Sequence, residues 1–162
     1  MDMSLLSWCR RTLLFLVATL IGGASFASEG LFREARTLQR NGKHDEAITA
    51  FKGYLAQPVA EEELEGQQLF LYTEALMQLM NTFQSKGDPE GCLVALQEVY
   101  KASPTLQKQC LRDYYAVMGY ALSRTEKMRE AEETMLKVFT LPLYQPSPER
   151  YFRDYAYAAA VF

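Results

Sequence analysis

The spacing of apolar residues limits this chain to a helical fold from residue 28 onward. Apolar side chains recur at intervals of three and four residues, as in Leu76, Met80 and Phe83. Such intervals place side chains on one face of an α-helix, whereas a half-buried strand alternates at every second residue. No segment after residue 28 shows the strand pattern. This part of the chain is therefore predicted to be all-α.

Short polar segments divide the helical pattern into repeated units. Gly42 and Gly87 stand where a first helix should end, because glycine readily adopts the left-handed conformation that stops a helix. Asp88 and Pro89 suit the next helix as its N-cap and first helical residue. Pro104 prevents that helix from continuing. We predict helix–turn–helix units at about 28–61, 73–106 and 112–145, linkers at 62–72 and 107–111, and a further unit starting at about 149–162.

Small side chains stand where the two helices of each unit should cross. Ala35 is followed twelve positions later by Ala47, and the other two units carry equivalent pairs. Antiparallel helices joined by a short turn approach closely only where such small residues meet, with larger apolar residues filling the space around them. The residues predicted to pack at these crossings are Ala35, Ala47, Phe51, Met80, Cys92, Leu96, Gly119, Ala131 and Met135.

Together these features resemble the tetratricopeptide repeat (TPR), a helix–turn–helix of 34 residues. Ala47 and Ala131 occupy its usual alanine position, and Gly42 occupies its turn-glycine position. The chain departs from the pattern where Met80 replaces a small residue and Glu126 replaces the turn glycine. The resemblance implies a right-handed α-solenoid of antiparallel helix hairpins, with about three repeats and a partial fourth. The alternative is a plain helical bundle with accidental spacing.

The resemblance also implies a concave groove lined by the first helix of each unit, with a protein or peptide as the partner. Asp113 and Arg153 fall at groove positions of the third and fourth units. The chain lacks the full Lys/Asn pattern of chaperone-type carboxylate clamps, and the alternative is an ordinary solvated face. The residues expected to bind a partner are Phe32, Arg36, Arg40, Met77, Asn81, Gln84, Tyr120 and Arg124.

The first 27 residues have the features of a secretory signal peptide. Arg10 and Arg11 precede an apolar run at Leu13–Ile21, and small residues at 25 and 27 suit cleavage before Ser28. The run is far shorter than the roughly 20 residues that a membrane-spanning helix needs. We expect cleavage and export to the periplasm or cell envelope. The alternative is an uncleaved membrane anchor.

The last segment has the pattern of a first helix without its partner. Its apolar ending carries no glycine stop, which leads us to expect that the chain is the N-terminal part of a longer protein. Export followed by repeats resembles the periplasmic sensor portion of Bacteroides-type membrane histidine kinases and related regulators. That resemblance implies a membrane tether downstream of residue 162 and a cytoplasmic output domain. The alternative is a periplasmic or secreted scaffold that binds envelope or assembly proteins.

The sequence offers no catalytic constellation, cofactor motif or metal-ligand cluster, so we predict no enzyme activity for this portion. His44 is the one histidine and falls at a turn. Cys92 and Cys110 are predicted to remain unbridged, because they start helices at opposite ends of an antiparallel pair. The net charge of −3 argues against a nucleic-acid partner for this portion.

Overall fold

The computed structural model describes residues 29–59, 66–142 and 148–162, the side chains of 149–152 excepted. All regular structure in these ranges is helical, which confirms the predicted all-α class. The predicted signal peptide at 1–27 lies outside the described residues. The helices are α1 (29–40), α2 (His44–Ala56), α3 (Gly66–Lys86), α4 (Pro89–Ala102), α5 (Pro104–Lys108), α6 (Leu111–Ser123), α7 (Met128–Thr140) and α8 (Pro148–Val161).

Three turns of similar form join α1 to α2, α3 to α4 and α6 to α7. Gly42 and Gly87 adopt the left-handed conformation, with φ of 73° and 74°. At each of them, paired backbone hydrogen bonds reach back to the last turn of the helix, as in Lys43 N to Leu38 O at 3.0 Å. Glu126 has a φ of 59° in the third turn, although it carries a side chain. The predicted turns are therefore confirmed, and the third keeps its left-handed residue despite the steric cost to a non-glycine.

The second unit differs from its prediction at both ends. Helix α3 begins at Gly66, so most of the predicted linker at 62–72 is helical. Helix α4 ends at Ala102, before Pro104 as predicted, and Pro104 starts the short helix α5, where the Ser103 hydroxyl accepts a hydrogen bond from the Leu106 amide. Helix α3 thus starts before residue 73, and α5 ends at Lys108, inside the predicted linker at 107–111. Helix α5 can start at Pro104 because a proline is well tolerated in the first turn of a helix.

The helices pack mainly on their neighbours along the chain and on the next helix but one. Contacts join α2 to α3, α3 to α4, α4 to α6 and α6 to α7, and further contacts join α2 to α4, α3 to α6 and α6 to α8. Gln39 links α1 to α3, since its amide nitrogen donates to Thr82 Oγ1 at 3.0 Å. A continuous apolar core runs between these helices, and Leu55, Leu76 and Leu96 are fully buried within it.

The residues predicted to pack at the helix crossings are all buried. The third crossing leaves little free space, because a Cβ placed on Gly119 would lie 3.1 Å from Met135 Cε and 3.5 Å from the Ala131 carbonyl oxygen. A small residue at position 119 therefore lets α6 and α7 approach closely. The buried set comprises Ala35, Ala47, Phe51, Met80, Cys92, Leu96, Gly119, Ala131 and Met135.

The buried thiols of Cys92 and Cys110 are not joined in a disulfide. Burial raises the pKa of the Cys92 thiol to about 12, so the thiol stays protonated and unreactive at neutral pH. Among the described helices, none combines the length and the apolar character that crossing a membrane requires.

Candidate functional site

The residues predicted to bind a partner come from α1, α3 and the end of α6, three helices that pack in succession. Arg40, Gln84 and Arg124 are exposed, whereas Asn81 is half-buried. Tyr120 is also half-buried, and one face of its ring stacks on Tyr157 of α8 at a centroid distance of 4.8 Å. The structure does not gather the whole set in one place. It brings the three residues of α1 together around a cavity and leaves the α3 and α6 members outside its walls.

The cavity has a volume of about 530 Å³ and lies between α1 and the first turns of α3. Phe32 forms its floor and is only 9% exposed, because its ring packs against Phe51 and Tyr54. Phe70 stands at the rim with 64% of its surface exposed. The lining residues are Phe32, Arg33, Arg36, Thr37, Arg40, Phe70 and Glu74.

Three arginines and one glutamate give the cavity an excess of positive charge. Arg33 pairs with Glu29 of its own helix at 3.0 Å. Arg36 pairs with Glu74 across the cavity at 3.1 Å. Among the described residues, no carboxylate pairs with Arg40, which is exposed. The cavity therefore combines an available guanidinium with an aromatic floor and rim, a chemistry suited to a carboxylate beside an apolar group.

Sequence reasoning missed Phe70 because the predicted unit began at residue 73. A signal was present, since Leu69, Tyr72 and Leu76 continue the helical spacing backward from the predicted start. All three of these side chains are buried. A helix that includes these residues also includes Phe70, which lines the same cavity as Arg36 and its neighbours on α1.

Asp113 and Arg153 do not serve the groove, which corrects their prediction. Arg153 Nη2 lies 2.6 Å from Asp113 Oδ1 and 2.8 Å from Asp154 Oδ1. Arg112 Nε lies 2.9 Å from Asp154 Oδ2, and its Nη1 donates to the Leu141 carbonyl oxygen at 2.9 Å. Both carboxylates are buried. Burial acts to lower the pKa of Arg153, but the two aspartates outweigh it and raise that pKa above its ordinary value. We call these four charged residues the α6–α8 ion network.

The other polar residues singled out by sequence form no reactive arrangement in the described ranges. No three His, Cys, Asp or Glu side chains there are grouped so as to hold a metal ion. His44 is half-buried at the start of α2. Asp45 lies on the surface, where a hydrogen bond and the charge of Lys86 at 2.7 Å hold its pKa below the ordinary value.

The chain matches no protein family, no curated protein and no solved structure at a significant level. Its function is therefore inferred from its own residues and geometry.

Proposed function

We propose that this chain is an exported helical-repeat module that binds a peptide segment of a partner protein along α1, α3 and α6. The proposed architecture is a TPR-like, right-handed α-solenoid of three hairpins, with α8 as the first helix of a fourth. On this proposal the module is the extracytoplasmic, ligand-sensing part of a transmembrane signalling regulator. Binding in the groove would change how neighbouring hairpins pack and pass that change to a membrane helix.

The three turns support the repeat architecture. Left-handed residues stand at Gly42, Gly87 and Glu126, each between a first and a second helix. Their separations exceed the 34 residues of a strict TPR array. The early start of α3 and the inserted α5 account for the additional residues. Packing of each helix on its close neighbours is also what stacked hairpins require.

One observation carries the binding proposal, namely the cavity between α1 and α3. It holds three of the residues that the repeat pattern assigns to a partner: Phe32, Arg36 and Arg40. It is open to solvent at an exposed aromatic rim, and its arginines exceed its carboxylates. Concave sites that pair an apolar surface with a few polar groups are the usual form of ligand-binding sites.

A displayed library of random dodecapeptides, panned against the full chain, tests the binding proposal. We expect enrichment of a common motif, and we expect Arg36→Gln to reduce capture of the enriched peptides. Glu98→Gln is a suitable control, because Glu98 lies on α4 and pairs with Lys52 of α2, away from the cavity. Failure to enrich any motif, or equal losses in both variants, would contradict the proposal.

Export is tested by expressing the chain in a bacterium with its N-terminal segment intact. The expected product is periplasmic and has the mass of a chain beginning at Ser28. Leu14→Arg with Leu16→Arg should leave the full-length chain in the cytoplasm, because the charges interrupt the apolar run. An uncut wild-type chain in the cytoplasm would refute export. A downstream reading frame without a membrane-spanning segment would favour the scaffold function instead.

A further inference from the structure

We propose that the cavity between α1 and α3 binds an acidic side chain of a peptide whose adjacent residue is aromatic or large and apolar. Arg40 binds the carboxylate, and Phe32 and Phe70 contact the neighbouring side chain. This inference rests on the proposed function, because it names the ligand class of the same groove.

The charges around the cavity select an anion. Arg36 and Arg40 are four residues apart on α1, so they lie one above the other on the same face of the helix. Arg36 is held by Glu74, whereas Arg40 meets no carboxylate among the described residues. A guanidinium binds a carboxylate with two parallel hydrogen bonds, which makes Arg40 a specific receptor as well as a positive charge.

Glu74 shows that a side-chain carboxylate fits this cavity. Its Oε1 atom accepts hydrogen bonds from Arg36 Nη1 at 3.1 Å and from Gln78 Nε2 at 2.8 Å. The arrangement is an internal Arg–carboxylate pair beside the available arginine. The same charge on Glu74 repels an incoming acidic residue, so Glu74 acts as a built-in competitor for the site.

The aromatic residues select the neighbour of the acidic residue. Phe70 is 64% exposed although it stands beside a cavity whose floor is the ring of Phe32. An aromatic side chain lying on Phe32 would cover part of the exposed Phe70 ring and remove apolar surface from water. Neither an isolated anion nor an isolated apolar group uses both halves of this site.

Fluorescence anisotropy with the full chain and four labelled peptides tests the inference. The first peptide carries Asp-Phe internally and has an amidated C-terminus; the second replaces Asp with Asn; the third replaces Phe with Ser. The fourth has no acidic side chain but ends in Phe with a free carboxylate. We expect the first peptide to bind at least about 10-fold more tightly than each of the others. The second and fourth peptides lack the acidic side chain that Arg40 would bind, and the third lacks the aromatic contact.

Variants of the chain locate the binding. Arg40→Gln should lower the affinity for the Asp-Phe peptide about 10-fold or more and leave the affinity for the Asn-Phe peptide unchanged. Glu74→Gln should raise the affinity for the Asp-Phe peptide, because it removes the competing charge and releases Arg36. Arg129→Gln is the matched control, since it removes the same charge from an exposed position on α7, outside the cavity and away from the predicted partner-binding residues. All three variants change partly or fully exposed side chains, and circular dichroism should report unchanged folding.

Each contrary outcome has a distinct meaning. Equal losses from Arg40→Gln and Arg129→Gln, or preference for the free C-terminal carboxylate, would overturn this inference and leave peptide binding along the groove intact. Absence of binding by every peptide, together with no motif from the library, would overturn both proposals. Binding to phosphatidylglycerol vesicles through Arg40, with no peptide bound, would show that the site serves a lipid surface and would also overturn both.

Discussion

Replacing Asp154 with asparagine tests whether the α6–α8 ion network holds α8 in place. The Asp154 carboxylate is 0% exposed and lies 2.9 Å from Arg112 Nε and 2.8 Å from Arg153 Nη2. Asparagine keeps the size of the side chain but not its charge. Its NH₂ group cannot accept the hydrogen bond that one of the two guanidinium groups donates to the carboxylate.

Removing one partner of a buried ion pair costs about 3–5 kcal/mol, because a charge is left buried without compensation. The lower end applies here, since each arginine keeps another acceptor. Arg112 retains the Leu141 carbonyl oxygen at 2.9 Å, and Arg153 retains Asp113 at 2.6 Å. A loss of about 3 kcal/mol corresponds to roughly a 100-fold change in an equilibrium constant. The contacts at risk are those of α8 with α6 and α7.

Hydrogen–deuterium exchange of the full chain measures this loss, because opening of α8 alone would expose its amides without unfolding the core. We expect the α8 amides of Asp154→Asn to exchange about 100-fold faster or to lose their protection. Asp45→Asn provides the control, since Asp45 pairs with Lys86 at 2.7 Å on the surface and exposed pairs contribute about 0–1 kcal/mol. A change in α8 exchange below about threefold, or an equal change in the control, would show that the ion network does not hold α8 in place.

Three further predictions are tested by denaturant unfolding. Ala131→Leu should lower the free energy of unfolding by about 1–3 kcal/mol, because Ala131 is fully buried. The same change at the exposed Glu132 should alter it by less than about 0.5 kcal/mol, and equal effects would contradict close packing of α6 and α7 at Ala131. Glu126→Gly should raise it by up to about 1 kcal/mol by relieving a φ of 59°, and Glu130→Gly within α7 should lower it by about 1 kcal/mol. The free energy of unfolding should fall above about pH 9, since an unfolded thiol ionises near 9.0 but burial raises the pKa of Cys92 to about 12. Cys92→Ala should make that fall shallower, and an identical slope would count against a buried thiol.

The helical class, the turns and the crossings could be predicted because each depends on residues close together in the chain. Gly42 and Gly87 act through their own backbone conformation, and the spacing of Ala35 and Ala47 follows from the length of a turn between two helices. Glu126 is instructive here, because its position in the turn determines its left-handed conformation more strongly than its side chain does.

The early start of α3 was missed because the predicted repeat length fixed the boundary at residue 73. The cavity was found only in part for the same reason, since Phe70 lies before that boundary. The ion network could not be predicted at all. Asp113 and Arg153 each have the pattern of a solvated helix face, and only the packing of α8 against α6 brings them within 2.6 Å.

Peptide binding along the groove is tested most directly by hydrogen–deuterium exchange of the full chain with and without a peptide selected from the library. Binding along the groove predicts slower exchange in α1 and α3, greatest at 32–40 and 70–78, where the cavity lies. Exchange in α2 and α4, which carry the Lys52–Glu98 pair on another surface, should not change. Protection confined to α2 and α4, or to the exposed face of α7 and α8, would contradict a partner-binding groove on the first helices.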